Sequence, residues 1–196
     1  MDKVAELKRD IAGILAKRAE QPSTTAEGDK PAQTDFIKGR NKGMFHRQIA
    51  HELRGHYAYL VMAAALKGRG LEGFANYFQK QAGEESEHAR KIMDFMVEAG
   101  YELEFGPIPV PEAEGATVEA LMEQYLDLER SITQDWYRIY QALEDSEDWA
   151  PIKLAQWFLN EQIQEEDQAV TLLQRVRMAG EGSGLLVLDQ ELAKRA

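Results

Sequence analysis

Glu85 and His88 stand three residues apart in the run Glu84-Glu85-Ser86-Glu87-His88. On a helix that spacing puts a carboxylate and an imidazole on one face. The same face carries Phe74, Phe78 and Gln81 before them and Ile92 and Phe95 after them, so the pair sits in an apolar stripe. Burying an unpaired carboxylate costs roughly several kcal/mol, a large part of a domain's net stability. A Glu-x-x-His pair on a helix is ordinarily solvated, so the pair alone decides little. Three other segments repeat the anomaly. Glu52 lies among Ile49, Leu53, Tyr59 and Leu60, and Glu129 among Tyr125, Leu128 and Ile132. Glu161, Gln162 and Glu165 lie among Phe158, Leu159, Val170 and Leu172. Acids meeting at matching heights would repel one another, and most would have to protonate. Two divalent or trivalent ions resolve that conflict. Oxygen donors with one imidazole suit iron or manganese, and could also hold zinc.

The elements that must position these residues are four long helices. The periodicity predicts them over about Met44–Lys67, Leu71–Ala99, Thr117–Ser146 and Asp148–Ala179, with Thr117 as an N-cap and Pro151 in a first turn. Gly68 and Gly70 punctuate the first connection. Pro107, Pro109 and Pro111, with Gly106 and Gly115, keep Tyr101 to Ala116 out of a helix. Gly180 to Gly184 breaks the fourth helix, and Leu185–Lys194 reads as a short fifth. Two short connections and one long crossover define a four-helix bundle whose middle pair is parallel. Ahead of the bundle, residues 1–19 form an amphipathic segment with Val4, Leu7, Ile11, Ile14 and Leu15 on one face. Residues 20–43, poor in large apolar side chains, read as a flexible linker.

Composition narrows the chemistry. The chain has 196 residues, 44% of them hydrophobic, enough for one core with an appendage. Its formal net charge of -11 and pI near 4.9 argue against nucleic acid as the main partner. There is no cysteine, which excludes disulfides, thiolate metal sites and thiol catalysis. The longest apolar run, near Tyr57 to Leu66, is too short to span a bilayer. The N-terminus carries no apolar signal stretch, so a cytoplasmic location is expected.

The segments also resemble a known family. His51-Glu52-Leu53, Tyr57-Ala58-Tyr59-Leu60, Gly70-Leu71-Glu72-Gly73-Phe74, Glu84-Glu85-x-x-His88, Leu128-Glu129-Arg130 and Trp157-Phe158-Leu159-Asn160-Glu161-Gln162 are similar to the non-haem bacterial ferritins. So are Ala179-Gly180-Glu181-Gly182 and Leu188-Asp189-Gln190-Glu191-Leu192. The resemblance covers about Phe45 to Leu192. It implies an all-α, ferritin-like four-helix bundle with one long crossover and a short fifth C-terminal helix. It implies a subunit of a homo-oligomeric, 24-subunit cage with that fifth helix at its four-fold axes.

The resemblance also implies roles. Glu52, Glu85 and His88 would hold a first iron, with Glu85 bridging. Glu129 and Glu165 would hold a second, with Gln162 close by. Glu84 and Glu161 would belong to a third iron site near the inner surface. Tyr59 would donate a hydrogen bond and single electrons, and Trp157 would be a nearby aromatic. The activity implied is ferroxidation, with dioxygen or peroxide as acceptor, and storage of the product as mineral. A symmetric di-iron bundle carries Glu-x-x-His on two helices. Here Gln162-x-x-Glu165 stands in its place, which favours a ferritin that passes iron onward over a bacterioferritin or a rubrerythrin. Ser86 stands where a haem-binding methionine would be, so no haem is expected.

Four features depart from the family's pattern. Gln164 stands where the third iron site usually has a carboxylate, so that site should be weaker or absent. His56 stands one turn after Glu52, as an extra ligand or, more in keeping with ordinary helices, bonded to a neighbouring carboxylate. Ile152 and Ala155 stand where animal ferritins carry the acids of three-fold iron channels, against iron access by that route. The N-terminal arm resembles the peptides that dock cargo in protein compartments. A membrane-surface helix or packing on a neighbouring subunit are the other readings of that arm. Competing functions for the whole are a non-storing di-metal oxidoreductase or peroxide scavenger, and a scaffold with degenerate sites.

Overall fold

The computed structural model describes residues 36–109 and 117–194. Among them are five helices and no strand: α1 Gly39–Lys67, α2 Glu72–Glu98, α3 Val118–Asp145, α4 Ile152–Ala179 and α5 Ser183–Ala193. The expected N-terminal helix over 1–19, and the linker as far as residue 35, lie outside the described residues. α1 packs on α2, α3 on α4, and α1 on α3, while α5 lies against α2 and α4.

The connection between α2 and α3, described as far as residue 109, joins opposite ends of the bundle. At its start the Tyr101 hydroxyl accepts from the Ile37 amide at 2.9 Å and donates to the Ile37 carbonyl at 3.1 Å, beside the beginning of α1. At its end Thr117 and Val118 share a cavity with Arg69 and Leu71, beside the end of α1. The crossover has therefore changed ends, as a parallel α2–α3 pair demands. Thr117 caps α3 as expected, its hydroxyl accepting from the Ala120 amide at 3.1 Å.

Two boundaries differ from the sequence expectation for one reason. α1 begins at Gly39, ahead of Met44, and α4 begins at Ile152, after Asp148. Asp148 stays in the turn because its carboxylate serves α1. It accepts from the Lys38 amide and from Asn41 Nδ2, both at 2.8 Å. Asn41 is buried, and its Nδ2 also donates to Ser146 Oγ at 2.9 Å. The Lys38 ammonium donates to the Ser146 carbonyl. These partners are more than a hundred residues apart in the chain, so local composition could not reveal them.

The core divides into two apolar lobes. One contains Tyr59, Phe78, Ala82, Tyr125, Leu126 and Ala169; the other contains Ile49, Ala89, Ile92, Ile132, Trp136 and Phe158. Each long helix thus passes from one lobe to the other. The residues in the gap are Glu52 on α1, Glu85 and His88 on α2, Glu129 on α3, and Gln162 and Glu165 on α4. All six are buried.

α5 is fastened to the start of α2. The Phe74 amide donates to Asp189 Oδ1 at 2.9 Å, so a side chain from α5 satisfies one of the free amides at that helix end. The backbones approach closely at Gly73, where a Cβ would lie 1.8 Å from the Asp189 carbonyl oxygen. Gly73→Ala should therefore push α5 away, at a cost of about 1–3 kcal/mol. Denaturant unfolding should show that loss, and amide hydrogen exchange should accelerate across α5. Unchanged exchange in α5 would contradict this packing.

Candidate metal centre

The first part of the centre forms where α1 meets α2. One ligand-type atom each from Glu52, Glu85 and His88 falls within 4.8 Å of the others. The neighbours leave these atoms in need of a partner. Glu52 Oε1 accepts from Gln48 Nε2 at 2.9 Å and from Trp136 Nε1 at 3.0 Å, while its Oε2 has no hydrogen bond. Glu85 Oε2 and His88 Nδ1 also have none, and they lie 3.6 Å apart. Three neighbouring residues, each with a buried polar atom that has no hydrogen-bond partner, fit a cation. The donor set of two carboxylates and one imidazole fits iron, manganese or zinc.

The backbone makes room for this arrangement. A Cβ on Gly55 would stand 3.3 Å from Glu85 Cγ and Cδ, tighter than ordinary contact. Gly55 on α1 thus lets the Glu85 side chain lie between the two helices. The His88 ring packs edge-on against Trp157 and Phe158, at 5.8 and 5.6 Å between centroids. Phe158 in turn stacks on Trp136 at 4.0 Å. The imidazole and the Glu52 carboxylate are therefore held by one aromatic block.

The second part comes from α3 and α4, and its carboxylates have partners. Tyr59 donates its hydroxyl proton to Glu129 Oε1. Gln162 Nε2 donates to Glu129 Oε2 at 3.2 Å and to the Glu129 carbonyl at 3.3 Å. Gln81 Nε2 donates to Glu165 Oε2 at 3.2 Å and to Glu84 Oε2 at 2.7 Å. Glu84 and Glu161 are half-buried at the margin, and Glu161 acts on both Glu84 and Glu165 through its charge. Gln164 is exposed.

His56 takes neither of its expected roles. Its Nδ1 hydrogen-bonds the Ala82 carbonyl at 2.7 Å, which ties α1 to α2 just outside the centre. Four positioning residues carry no signal as ligands in the sequence: Gln48, Gly55, Gln81 and Trp136. Gln48 precedes Glu52 by one turn and Trp136 follows Glu129 by two, so helical spacing places them near the acids. The hydrogen bond of Trp136 goes instead to Glu52 on another helix, which spacing along α3 cannot show.

Burial dominates the electrostatics. It raises Glu52 from 4.5 to about 8, reinforced by the neighbouring Glu85. It raises Glu165 to about 8, with help from Glu129. Burial raises Glu129 to about 7 against the opposing hydrogen bonds from Tyr59 and Gln162. Glu85 is pushed well up by burial and then by the charge of Glu129. Without a cation these side chains hold protons, and a bound cation would displace them.

A family model described as Ferritin-like domain matches residues 43–179. The bacterial non-heme ferritin of Staphylococcus saprophyticus is 34% identical over 152 residues, 77% of this chain and 91% of that protein. That of Staphylococcus haemolyticus is 33% identical over 150 residues, 76% and 90% respectively. Among solved structures, a novel open pore ferritin from the hyperthermophilic archaeon Archaeoglobus fulgidus has a TM-score of 0.80 at 31% identity, covering 83% of this chain and 99% of that one. An engineered closed form of the A. fulgidus ferritin gives 0.79 at 31% identity, covering 82% and 98%.

The shifted carboxyls set the pH dependence of the metal-free protein. Glu52 and Glu165 titrate near 8 in the fold and from 4.5 when unfolded. Between those values the folded state holds more protons, so stability is greatest at the acid end and falls as pH rises. With chelator present, the melting temperature should drop by several degrees between about pH 5 and about pH 8. Zn(II) added at the alkaline end should restore it by displacing the protons. A melting temperature that stays level across this range would count against the buried carboxylate cluster.

Proposed function

The chain belongs to the ferritin family, and from that premise we propose that it stores iron, oxidising Fe(II) to Fe(III) at a di-iron centre. The observation that carries this reading is the trio of unpartnered buried atoms, Glu52 Oε2, Glu85 Oε2 and His88 Nδ1. Iron is the substrate here. Glu52, Glu85 and His88 bind one Fe(II). Glu129 and Glu165 bind the second, with Glu85 between the two and Gln162 beside them.

The residues divide the work. Carboxylate charge stabilises Fe(III) more than Fe(II), so the ligand set favours the oxidised product. The buried setting makes each of those charges count for more than it would in water. Gln48 and Trp136 hold one oxygen of Glu52 and leave the other for the metal. Tyr59 and Gln162 orient Glu129. Tyr59, hydrogen-bonded to Glu129, is also a source of a single electron. With one imidazole and no second histidine, the α3–α4 half grips Fe(III) less firmly. Glu84 and Glu161 at the margin receive the departing ion, and Gln164 adds no charge there. The acceptor is dioxygen or peroxide.

The same reading includes a homo-oligomer, a 24-subunit cage enclosing the mineral, without haem. The similarity to the A. fulgidus ferritin over nearly its whole length supports that assembly. Among the described residues no helix is long and apolar enough to cross a membrane. The reading places the cage in the cytoplasm, with residues 1–19 as an arm for a docking partner or compartment shell.

Aerobic addition of excess Fe(II) to the purified protein tests the proposal. The wild-type particle should oxidise the iron and retain on the order of hundreds of ions, as a mineral store with displaceable oxygen ligands requires. Oxidation that stops at two ions per subunit would contradict storage. Glu85→Ala should slow the first oxidation phase by at least roughly tenfold, since ligand loss costs no less than loss of a supporting group. The metal-free melting temperature of that variant should stay level or rise, because a buried carboxyl is gone. A variant that oxidises iron at the wild-type rate would remove Glu85 from the centre.

A further inference from the structure

Tyr59, Tyr125 and Tyr77 form a continuous run from the centre to the protein surface. The Tyr59 hydroxyl donates to Glu129. Its ring meets Tyr125 edge-on at 5.3 Å and 87°. Tyr125 meets Tyr77 at 6.2 Å and 73°, and their hydroxyls lie 3.1 Å apart. Phe78 touches all three rings. Tyr59 and Tyr125 are fully buried, whereas Tyr77 is partly exposed and its hydroxyl donates to the exposed Gln168 at 3.4 Å.

Packing alone does not call for three phenols. A buried hydroxyl must find a partner, and phenylalanine would fill the same space without that cost. Here each hydroxyl is partnered either by another member of the run or by the centre itself. A phenol keeps its proton at neutral pH, so its oxidation must move a proton with the electron. The hydrogen bonds along the run supply those proton acceptors.

We propose that Tyr59, Tyr125 and Tyr77 form an electron relay, carrying single electrons from Fe(II) at the surface to oxygen being reduced at the buried centre. The proposal rests on the ferroxidase reading above. Two Fe(II) ions provide two electrons, whereas dioxygen needs four to become water, so a further donor has work to do. In the first step Tyr59 gives its electron to the partly reduced oxygen and its proton to Glu129. In the second, Tyr125 gives an electron to the Tyr59 radical, which takes its proton back from Glu129. The Tyr125 proton leaves through the Tyr77 hydroxyl to water. A hydrogen atom from Tyr77 then restores Tyr125, breaking the Tyr77 O–H bond and forming that of Tyr125. Fe(II) outside reduces the Tyr77 radical, which takes a proton from water. The net change is one Fe(II) oxidised at the surface and one electron delivered inside.

The tryptophan run on the other side is a poorer conductor. Phe158, hard to oxidise, separates Trp136 from Trp157. Lys91 Nζ stands 4.1 Å from the centre of the Trp157 ring, and its positive charge opposes loss of an electron from that indole.

The test uses full-length protein, excess Fe(II) in air, and freeze-quench electron paramagnetic resonance with oxygen uptake. Wild type should show a transient tyrosyl radical. Tyr77→Phe and Tyr125→Phe keep the rings and the packing. In both, the first two Fe(II) per subunit should oxidise at the wild-type rate. The radical left on Tyr59 should then persist several-fold longer, and less oxygen should reach water. The double variant should behave like either single one, because the members act in series. Radical decay and oxygen stoichiometry that match wild type in both variants overturn the relay, as does a wild type that oxidises Fe(II) without any tyrosyl radical. A wild type that oxidises no Fe(II) overturns the ferroxidase reading instead, and the relay with it.

Discussion

The fold is organised around carboxylates held out of water. Glu52, Glu85, Glu129 and Glu165 are buried at the level where all four long helices cross, between two apolar lobes. Without those lobes the layer would be wet, and the acids would ionise and separate. The lobes exclude water, and that exclusion raises the acids, so that each needs either a proton or a cation as its partner. The packing therefore serves the chemistry by controlling the dielectric of one thin slab. Each helix needs only its own polar residue at the right height.

Residues outside the ligand set turn that slab into a specific geometry. Gly55 admits the Glu85 side chain between α1 and α2, because a methyl group there would press on it. Trp136 reaches from α3 to Glu52 on α1, and its ring stacks on Phe158, which also supports His88. One aromatic block thus fixes a carboxylate on one helix and an imidazole on another. His56 contributes in the same manner, tying α1 to the α2 backbone at Ala82.

The acids and the helices were legible in the sequence because both are local signals. Apolar periodicity marks the helix faces, and an acid within such a face is visible without knowing its neighbours. Thr117 announces a cap, and the prolines of the crossover announce a break. What escaped reading depends on contacts distant in the chain. Gly39 begins α1 because Asn41 and Lys38 find Asp148, and nothing near Gly39 predicts it. Asp148 is an acid where acids favour helix starts, yet its carboxylate is committed to α1. The partner of His56 was a backbone carbonyl, a group present at every residue and so invisible to any pattern.

The two halves of the centre carry the cost of burial unequally. On the α3–α4 side, Tyr59 and Gln162 satisfy both oxygens of Glu129, and Gln81 serves Glu165. On the α1–α2 side, one oxygen each on Glu52 and Glu85 and one nitrogen on His88 are left without a hydrogen-bond partner. A cation relieves far more unfavourable desolvation in the second arrangement than in the first, since an orphaned buried polar group costs more than a partnered one. To bind at Glu129 an ion must also compete with hydrogen bonds already made. Under the proposed function, firmer retention at Glu52, Glu85 and His88 and easier release beside Glu129 and Glu165 would follow from this hydrogen-bond pattern, without any difference in carboxylate number. The second histidine that a symmetric bundle would carry is absent from that same α3–α4 half, where Gln162 stands instead and donates to Glu129.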